Sequence, residues 1–261
     1  MASDNDILLK VQDLKKHFTL SKGSPGSAQW AVGELPVVDG VTFDVRRGET
    51  LALLGARGSG KSTLARLVLL LYPPTGGKIY FEGKSLADLR GGAMREVRRK
   101  MQIVFQDPYS ALNPRLHVGQ IIAEPLDVHG LFTGAARAAK IAELLELVGL
   151  NPYFEHRSPL EFSGAQRQRI AIARAMSLSP VFLVWDEPES TLDAAGATGL
   201  LDLLLELRRR FGLTVLMTTS EAEVTQALAD RIAVLRDGKI AEVGEVREML
   251  ERNSFISSAP V

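Results

Sequence analysis

Residues 55–63 read Gly-Ala-Arg-Gly-Ser-Gly-Lys-Ser-Thr. Gly55, Gly60, Lys61 and Ser62 sit at the fixed spacing of a phosphate-binding loop, with Gly58, Ser59 and Thr63 inside the same turn. An apolar run, Thr50 to Leu54, precedes it as a buried strand should, and a helix-forming run, Ser62 to Leu69, follows. In that context the loop N–H groups and the helix N-terminus make a pocket for triphosphate oxygens. Lys61 is expected to reach the β and γ phosphates, and the Ser62 hydroxyl to ligand Mg²⁺.

A second chemical element follows 120 residues on. Val181 to Trp185 is an apolar run ending in Asp186-Glu187. An acid at the end of a buried strand can hold Mg²⁺ through its water shell. Glu187 can polarise an attacking water as general base. Asp186 could instead be a helix cap after a core strand. Ser163-Gly164-Ala165-Gln166 opens a helix read as Arg167–Met176. Such a serine is a capping residue in isolation, and also a second anion-binding helix terminus.

The elements that must position these groups follow from the pattern. Leu8–Val11 and Val37–Val45 read as strands, with the Gly/Ser/Pro-rich Lys22–Ser27 as a loop between them. Lys78–Glu82 and Met101–Phe105 are further strands. From Asp107 to about Met176, prolines and then helical periodicity over Ala135–Val148 predict a mainly helical insertion. Beyond it the chain alternates: strand to Trp185, helix Ala194–Arg210, strand Leu213–Thr218, helix Glu221–Leu228, strand Ile232–Leu235. An Asp237-Gly238 hairpin turn and a short helix, Val246–Glu251, complete the run. This order predicts an α/β fold with a parallel or mixed sheet flanked by helices.

Composition narrows the function classes. The 261 residues, 46% hydrophobic, can bury a large core. Cysteine is absent, which excludes disulfides, thiolate metal sites and iron–sulfur clusters. No basic-then-apolar signal opens the chain, and the longest apolar candidate, Leu67–Tyr72, is far short of a membrane span. Charge is balanced, 31 basic against 31 acidic residues, which argues against a general nucleic-acid binder. The basic clusters Arg95–Lys100 and Arg208–Arg210 read as solvated helix faces.

Together, the phosphate loop, Gln106 after a strand, Ser-Gly-x-Gln and strand-Asp-Glu, in that order, resemble the ATP-binding subunit of an ABC transporter from about Leu8 to Glu251. The resemblance implies a P-loop NTPase core of ABC ATPase type, with an N-terminal antiparallel β subdomain and an inserted α-helical subdomain. Within one domain over 1–261, residues 1–106 and 177–252 form the core with its β subdomain. Residues 107–176 form the helical subdomain with the signature, and 253–261 a tail. The C-terminal extension usual in this branch is expected to be mostly lacking.

By the same resemblance, Phe18 stacks on adenine, and Gln106 ligands Mg²⁺ or water and senses the transmembrane partner. Ser163, Gly164 and Gln166 close over the γ-phosphate held by a second subunit, and Asp193, in Ser190-Thr-Leu-Asp193, contacts the opposite protomer. The segments Phe105–Arg115, Val118–Pro125 and Phe162–Arg174 are similar to dipeptide and oligopeptide importer ATPases, with nickel and antimicrobial-peptide systems sharing much of the signature. Implied partners are transmembrane permease subunits, a second ATPase subunit in a heterodimer and, indirectly, an extracytoplasmic solute-binding protein. The implied place is cytoplasmic, peripheral on the inner face of the cell membrane. ATP and Mg²⁺ are the implied ligands.

Three departures stand out. Ser220, in Thr218-Thr-Ser-Glu, takes the place of the family's switch histidine, so weak hydrolysis at this chain's own loop is expected. Ala165 replaces the signature's second glycine. Glu189 puts an acid where Thr or Val is usual. These departures keep open a non-hydrolysing nucleotide-binding module that serves assembly or regulation. A soluble ABC-type protein of repair or translation is a third reading, although the paired cassettes or long coiled coil of that class are not seen.

Overall fold

A computed structural model describes residues 6–22, 31–188 and 194–251. Two compact units are present, Met1–Arg90 with Thr218–Val261, and Gly91–Met217.

The first unit starts with a long antiparallel pair, β1 (Ile7–Lys22) and β2 (Ala31–Arg46). Both strands outrun the expected Leu8–Val11 and Val37–Val45. The extra length is the polar stretch Gln12–Lys22, whose pattern gives no clean alternation. Its order comes from pairing, with register shifts around Leu14 and Lys16 absorbing the irregularity. The loop expected at Lys22–Ser27 lies, beyond Lys22, outside the described residues. After β3 (Thr50–Leu54) come α1 (Lys61–Val68), β4 (Gly76–Phe81) and a two-residue β5 (Lys84–Ser85). The order β2-β1-β4-β5 makes a four-stranded antiparallel sheet.

The second unit opens with α2 (Gly91–Lys100), a basic helix with no buried residue, as its charge run predicts. β6 (Met101–Val104) leads to α3 (Pro108–Ala111), α4 (Val118–Val128), α5 (Gly134–Leu147) and α6 (Gly164–Met176), interspersed with short 3₁₀ turns. α5 buries Ile141, Leu144 and Leu145, the i, i+3, i+4 face that its sequence shows. β7 (Phe182–Asp186), α7 (Ala194–Phe211) and β8 (Thr214–Thr219) follow. β6 runs parallel to β7, with Val104 opposite Trp185, and β8 lies on the other side of β7. Both β7 and β8 are buried at every position, the continuous apolar run of a strand covered on both faces.

The chain re-enters the first unit at Thr218 and adds α8 (Ala222–Leu228), β9 (Arg231–Arg236), β10 (Lys239–Glu245) and α9 (Val246–Glu251). β9 pairs parallel with β3 and antiparallel with β10. Asp237 (φ 47°) and Gly238 (φ 75°) form the expected hairpin turn. Leu54, Ile232, Val234, Val246 and Met249 pack into one apolar cluster beneath the strand that feeds the phosphate loop.

Candidate functional site

In the first unit the loop from β3 to α1 is shaped by glycine. Gly60 caps α1 at φ 102°, and a Cβ there would sit 2.5 Å from Val37 O. A Cβ on Gly55 would lie 2.5 Å from Leu235 O and 2.7 Å from Ser59 Oγ. Neither position can take a side chain without moving backbone. Lys61, 3% exposed, donates from Nζ to Gly55 O at 2.7 Å and Ala56 O at 3.0 Å. Its ammonium is therefore folded back onto the loop's own carbonyls. Ser59 Oγ is buried with no hydrogen-bond partner among the described residues. Ser62 and Thr63 follow Lys61 in the first turn of α1, which carries no acid to offset its dipole. An orphaned hydroxyl, an ammonium and a helix N-terminus around a cradle too tight for a methyl suit a polyphosphate.

Ser220 follows β8 in the same unit. Gly55 N donates to Thr219 O at 3.3 Å, and Thr219 Oγ1 accepts from Glu221 N at 2.9 Å. These bonds fix Ser220 one residue from the backbone contact to the loop's first glycine, and just before the N-cap of α8. Phe18 is half-buried on β1, edge-on to Tyr72 with ring centroids 6.1 Å apart. Lys16 Nζ lies 5.0 Å from the centre of the Phe18 ring and donates to Pro73 O at 2.8 Å. No motif in the sequence marks Tyr72 or Lys16 as part of a site. An aromatic just beyond the phosphate-loop helix, ahead of Pro73-Pro74, was the available signal.

In the second unit Asp186 ends β7 with no exposure, and Glu187 is 8% exposed. Glu187 has φ 42°, a strained conformation for a non-glycine residue at the mouth of a strand. Gln106 Nε2 donates to Glu187 Oε2 at 2.8 Å, across 81 positions of sequence. Gln168 on α6 donates to Phe105 O at 3.4 Å and Gln106 O at 3.3 Å, a contact that no sequence motif announces. Its only trace in the sequence is a glutamine between Arg167 and Arg169, shortly before the apolar part of α6.

Ser163 caps α6 through a capping box. Its Oγ accepts from Gln166 N at 3.3 Å, while Gln166 Oε1 accepts from Ser163 N at 3.0 Å. Each side-chain oxygen is thus engaged by the other residue's backbone N–H, across Gly164 and Ala165. Ala165 lies in the first turn of α6 and is not among the residues with positive φ, so its methyl costs the helix nothing. Asp193, Glu189 and the rest of Ser190–Asp193 lie outside the described residues.

A glycine-cradled phosphate loop between a buried strand and a helix, together with an acidic pair closing a second buried strand, defines a P-loop nucleoside triphosphatase. The chain is further placed by its relatives. Residues 38–190 match the ABC transporter family, and the chain belongs to it, as an ATP-binding subunit of the ABC ATPase class. It is 40% identical over 267 residues to the oligopeptide transport ATP-binding protein AppF of Bacillus subtilis (strain 168), covering 100% of this chain and 80% of that protein. It is 42% identical over 248 residues to the glutathione import ATP-binding protein GsiA of Escherichia coli (strain K12), covering 95% of this chain and 39% of that one. The dimeric post-hydrolysis structure of the ATP-binding cassette MJ0796 bound to ADP and Pi superposes with TM-score 0.79 at 28% identity. That match covers 92% of this chain and 99% of the other. Importer ATP-binding subunits work with transmembrane components, and among the described residues no helix is long and apolar enough to cross a membrane.

Proposed function

We propose that this chain is the energy-coupling ATPase of an importer for oligopeptides or similar solutes. The observation that carries the reading is the 2.8 Å bond from Gln106 to Glu187, beside the fully buried Asp186. It sets a side-chain amide against a carboxylate suited to general-base work. The relatives' roles in oligopeptide and glutathione transport support the solute class.

In this reading Lys61 exchanges Gly55 O and Ala56 O for the β and γ phosphate oxygens of ATP, and the loop N–H groups bind the rest. Phe18, backed by Tyr72, takes the adenine face. Ser62, Gln106 and Asp186 would hold Mg²⁺, which when bound neutralises charge on the β and γ oxygens. Glu187 takes a proton from the attacking water as its oxygen bonds to the γ phosphorus. The bond to the β–γ bridging oxygen breaks, releasing ADP and inorganic phosphate. Ser163, Gly164, Gln166 and Asp193 serve a second ATPase subunit in a head-to-tail dimer. Permease subunits, and a solute-binding protein acting through them, complete the machine at the inner face of the membrane.

Ser220 bears on the partner. A serine is shorter than histidine and uncharged, so it supplies the γ-phosphate and the attacking water with a weaker contact. Losing one transition-state donor costs about 10²–10³ in rate. A heterodimer with a competent second subunit follows, and the same residue supports the alternative of a module that binds ATP without turning it over. Steady-state ATPase activity beside ATP binding decides between them. Turnover that is abolished in Glu187→Gln supports the ATPase reading. ATP-dependent association with no turnover, unaffected by Ser220→His, would establish the binding module instead.

A further inference from the structure

We propose that Gln168 is a positioning residue for hydrolysis, holding the Phe105–Gln106 backbone so that the Gln106 amide stays on Glu187. The inference rests on the reading of Glu187 as the base.

Its first support is where β-sheet pairing stops. The β6–β7 ladder ends at the Val104–Trp185 pair. Phe105 and Gln106 lie just past that end on one strand, Asp186 and Glu187 on the other. The ladder therefore no longer dictates where the Gln106 backbone sits. Gln168 takes over: its single Nε2 reaches both Phe105 O and Gln106 O, at 3.4 and 3.3 Å. From there the connection continues through Gln106 Nε2 to Glu187 Oε2 at 2.8 Å.

The second support is the residue type. Gln168 has no exposure; it lies between Arg167 and Arg169, and the buried residues Ile170, Ala171, Ile172 and Ala173 that follow on α6 are apolar. An apolar side chain there would bring no polar atom into the interior. The glutamine instead keeps Oε1 buried with no hydrogen-bond partner among the described residues. A buried polar atom left unpaired is costly and calls for a reason. Here the other half of the same amide supplies it.

The third support is the element that carries it. Gln168 lies on α6, the helix capped by Ser163 and Gln166. A shift or rotation of α6 moves Nε2 relative to the two carbonyls, and through them the amide that restrains Glu187. The base thereby becomes sensitive to whatever engages the start of α6.

The test is a double-mutant cycle of Gln168→Met and Gln106→Ala, measured as ATP turnover and made in parallel in the Ser220→His chain, where turnover is expected to be faster. Gln168→Met should lower kcat by about 10- to 100-fold, the range for a misplaced catalytic group. KM and nucleotide affinity should stay within about twofold. In the Gln106→Ala chain the same substitution should cost nothing further, because the residue it acts through is gone. A purely packing role would instead lower kcat by equal factors in both backgrounds, and that result overturns the proposal.

Amide hydrogen exchange supplies a reading that needs no turnover. Gln168→Met should speed exchange across residues 105–107 while α6 itself keeps its protection. Unchanged exchange there would also sink the idea. If Glu187→Gln turns over like wild type, the base assignment fails by itself, and the exchange result still decides whether Gln168 holds the Gln106 backbone.

Discussion

Gln106 and Glu187 are joined by a 2.8 Å hydrogen bond from amide to carboxylate, although 81 positions separate them in sequence. One follows β6 and the other follows β7, so parallel pairing brings their loops side by side. Glu187 is 8% exposed and held at φ 42°. A base fixed in that way should be hard to replace. Glu187→Gln keeps the shape and removes the proton acceptor, and turnover should fall by about 10²–10⁴. ATP binding, measured by a fluorescent analogue, should change little.

Ser220 sits one residue beyond Thr219, whose carbonyl accepts from Gly55 N. A histidine there would extend a longer, hydrogen-bonding ring from the same backbone point. Ser220→His should raise kcat by about 10²-fold, the value of one restored transition-state donor. Equal turnover in the two chains would show that another residue already makes the contact.

Gly60 combines φ 102° with a Cβ position 2.5 Å from Val37 O. Gly60→Ala should lower stability by roughly 1–3 kcal/mol and deform the loop around Lys61. Thermal melting reports the first effect. Loss of ATP binding in protein that is still folded reports the second.

Phe18 faces Tyr72 edge-on, with Lys16 above its ring. If Phe18 stacks on the base, Phe18→Ala should weaken ATP binding by about 5- to 150-fold, since stacking on an aromatic is worth about 1–3 kcal/mol per base. Inorganic triphosphate has no base, so its binding should be unaffected. Tyr72→Ala should give the same selectivity with a smaller loss.

Arg231 bonds Glu49 at 3.0 Å and Asp44 at 3.2 Å, with the Arg231 and Glu49 side chains 9% and 8% exposed. Burial pushes the Glu49 carboxyl above the usual range, against the opposing pull of the Arg46 backbone N–H and the charges of Arg231 and Arg46. Arg231→Met removes a charge and a hydrogen bond that favour the ionised form. At pH 7 it should cost about 3 kcal/mol, the lower end for a buried pair broken on one side. The pKa of Glu49 then rises further, so the folded chain holds the proton more tightly than the unfolded chain does. Stability should therefore be regained as pH falls through the folded pKa, with the gain complete below the unfolded value. Urea midpoints at pH 7 and pH 5 should show the deficit narrowing. A deficit that widens on acidification would contradict the ion-pair account.

Much of this molecule could be read from residue order because the determining physics is local. A phosphate loop is a run of consecutive N–H groups between a strand and a helix, so Gly55 to Thr63 declare it within nine positions. The Ser163–Gln166 capping box and the Asp237-Gly238 turn are also closed over a few residues. The continuous apolar runs of β3 and β7 report burial on both faces for the same reason. What the sequence left unspoken depends on partners that are distant along the chain. β1 continues to Lys22 through polar residues because β2 lies beside it and satisfies its backbone, which no periodicity in Gln12–Lys22 announces. Tyr72 meets Phe18 only because the Tyr72–Thr75 turn is tied down to β1, by Lys16 Nζ to Pro73 O and by Thr75 N to Lys15 O. Gln168 reads as one more residue of a helix until the fold sets it against two carbonyls past the end of a ladder. Short-range hydrogen bonding and hydropathy are written in neighbouring residues, whereas the aim of Gln106 on Glu187 is settled by the pairing of strands 81 residues apart.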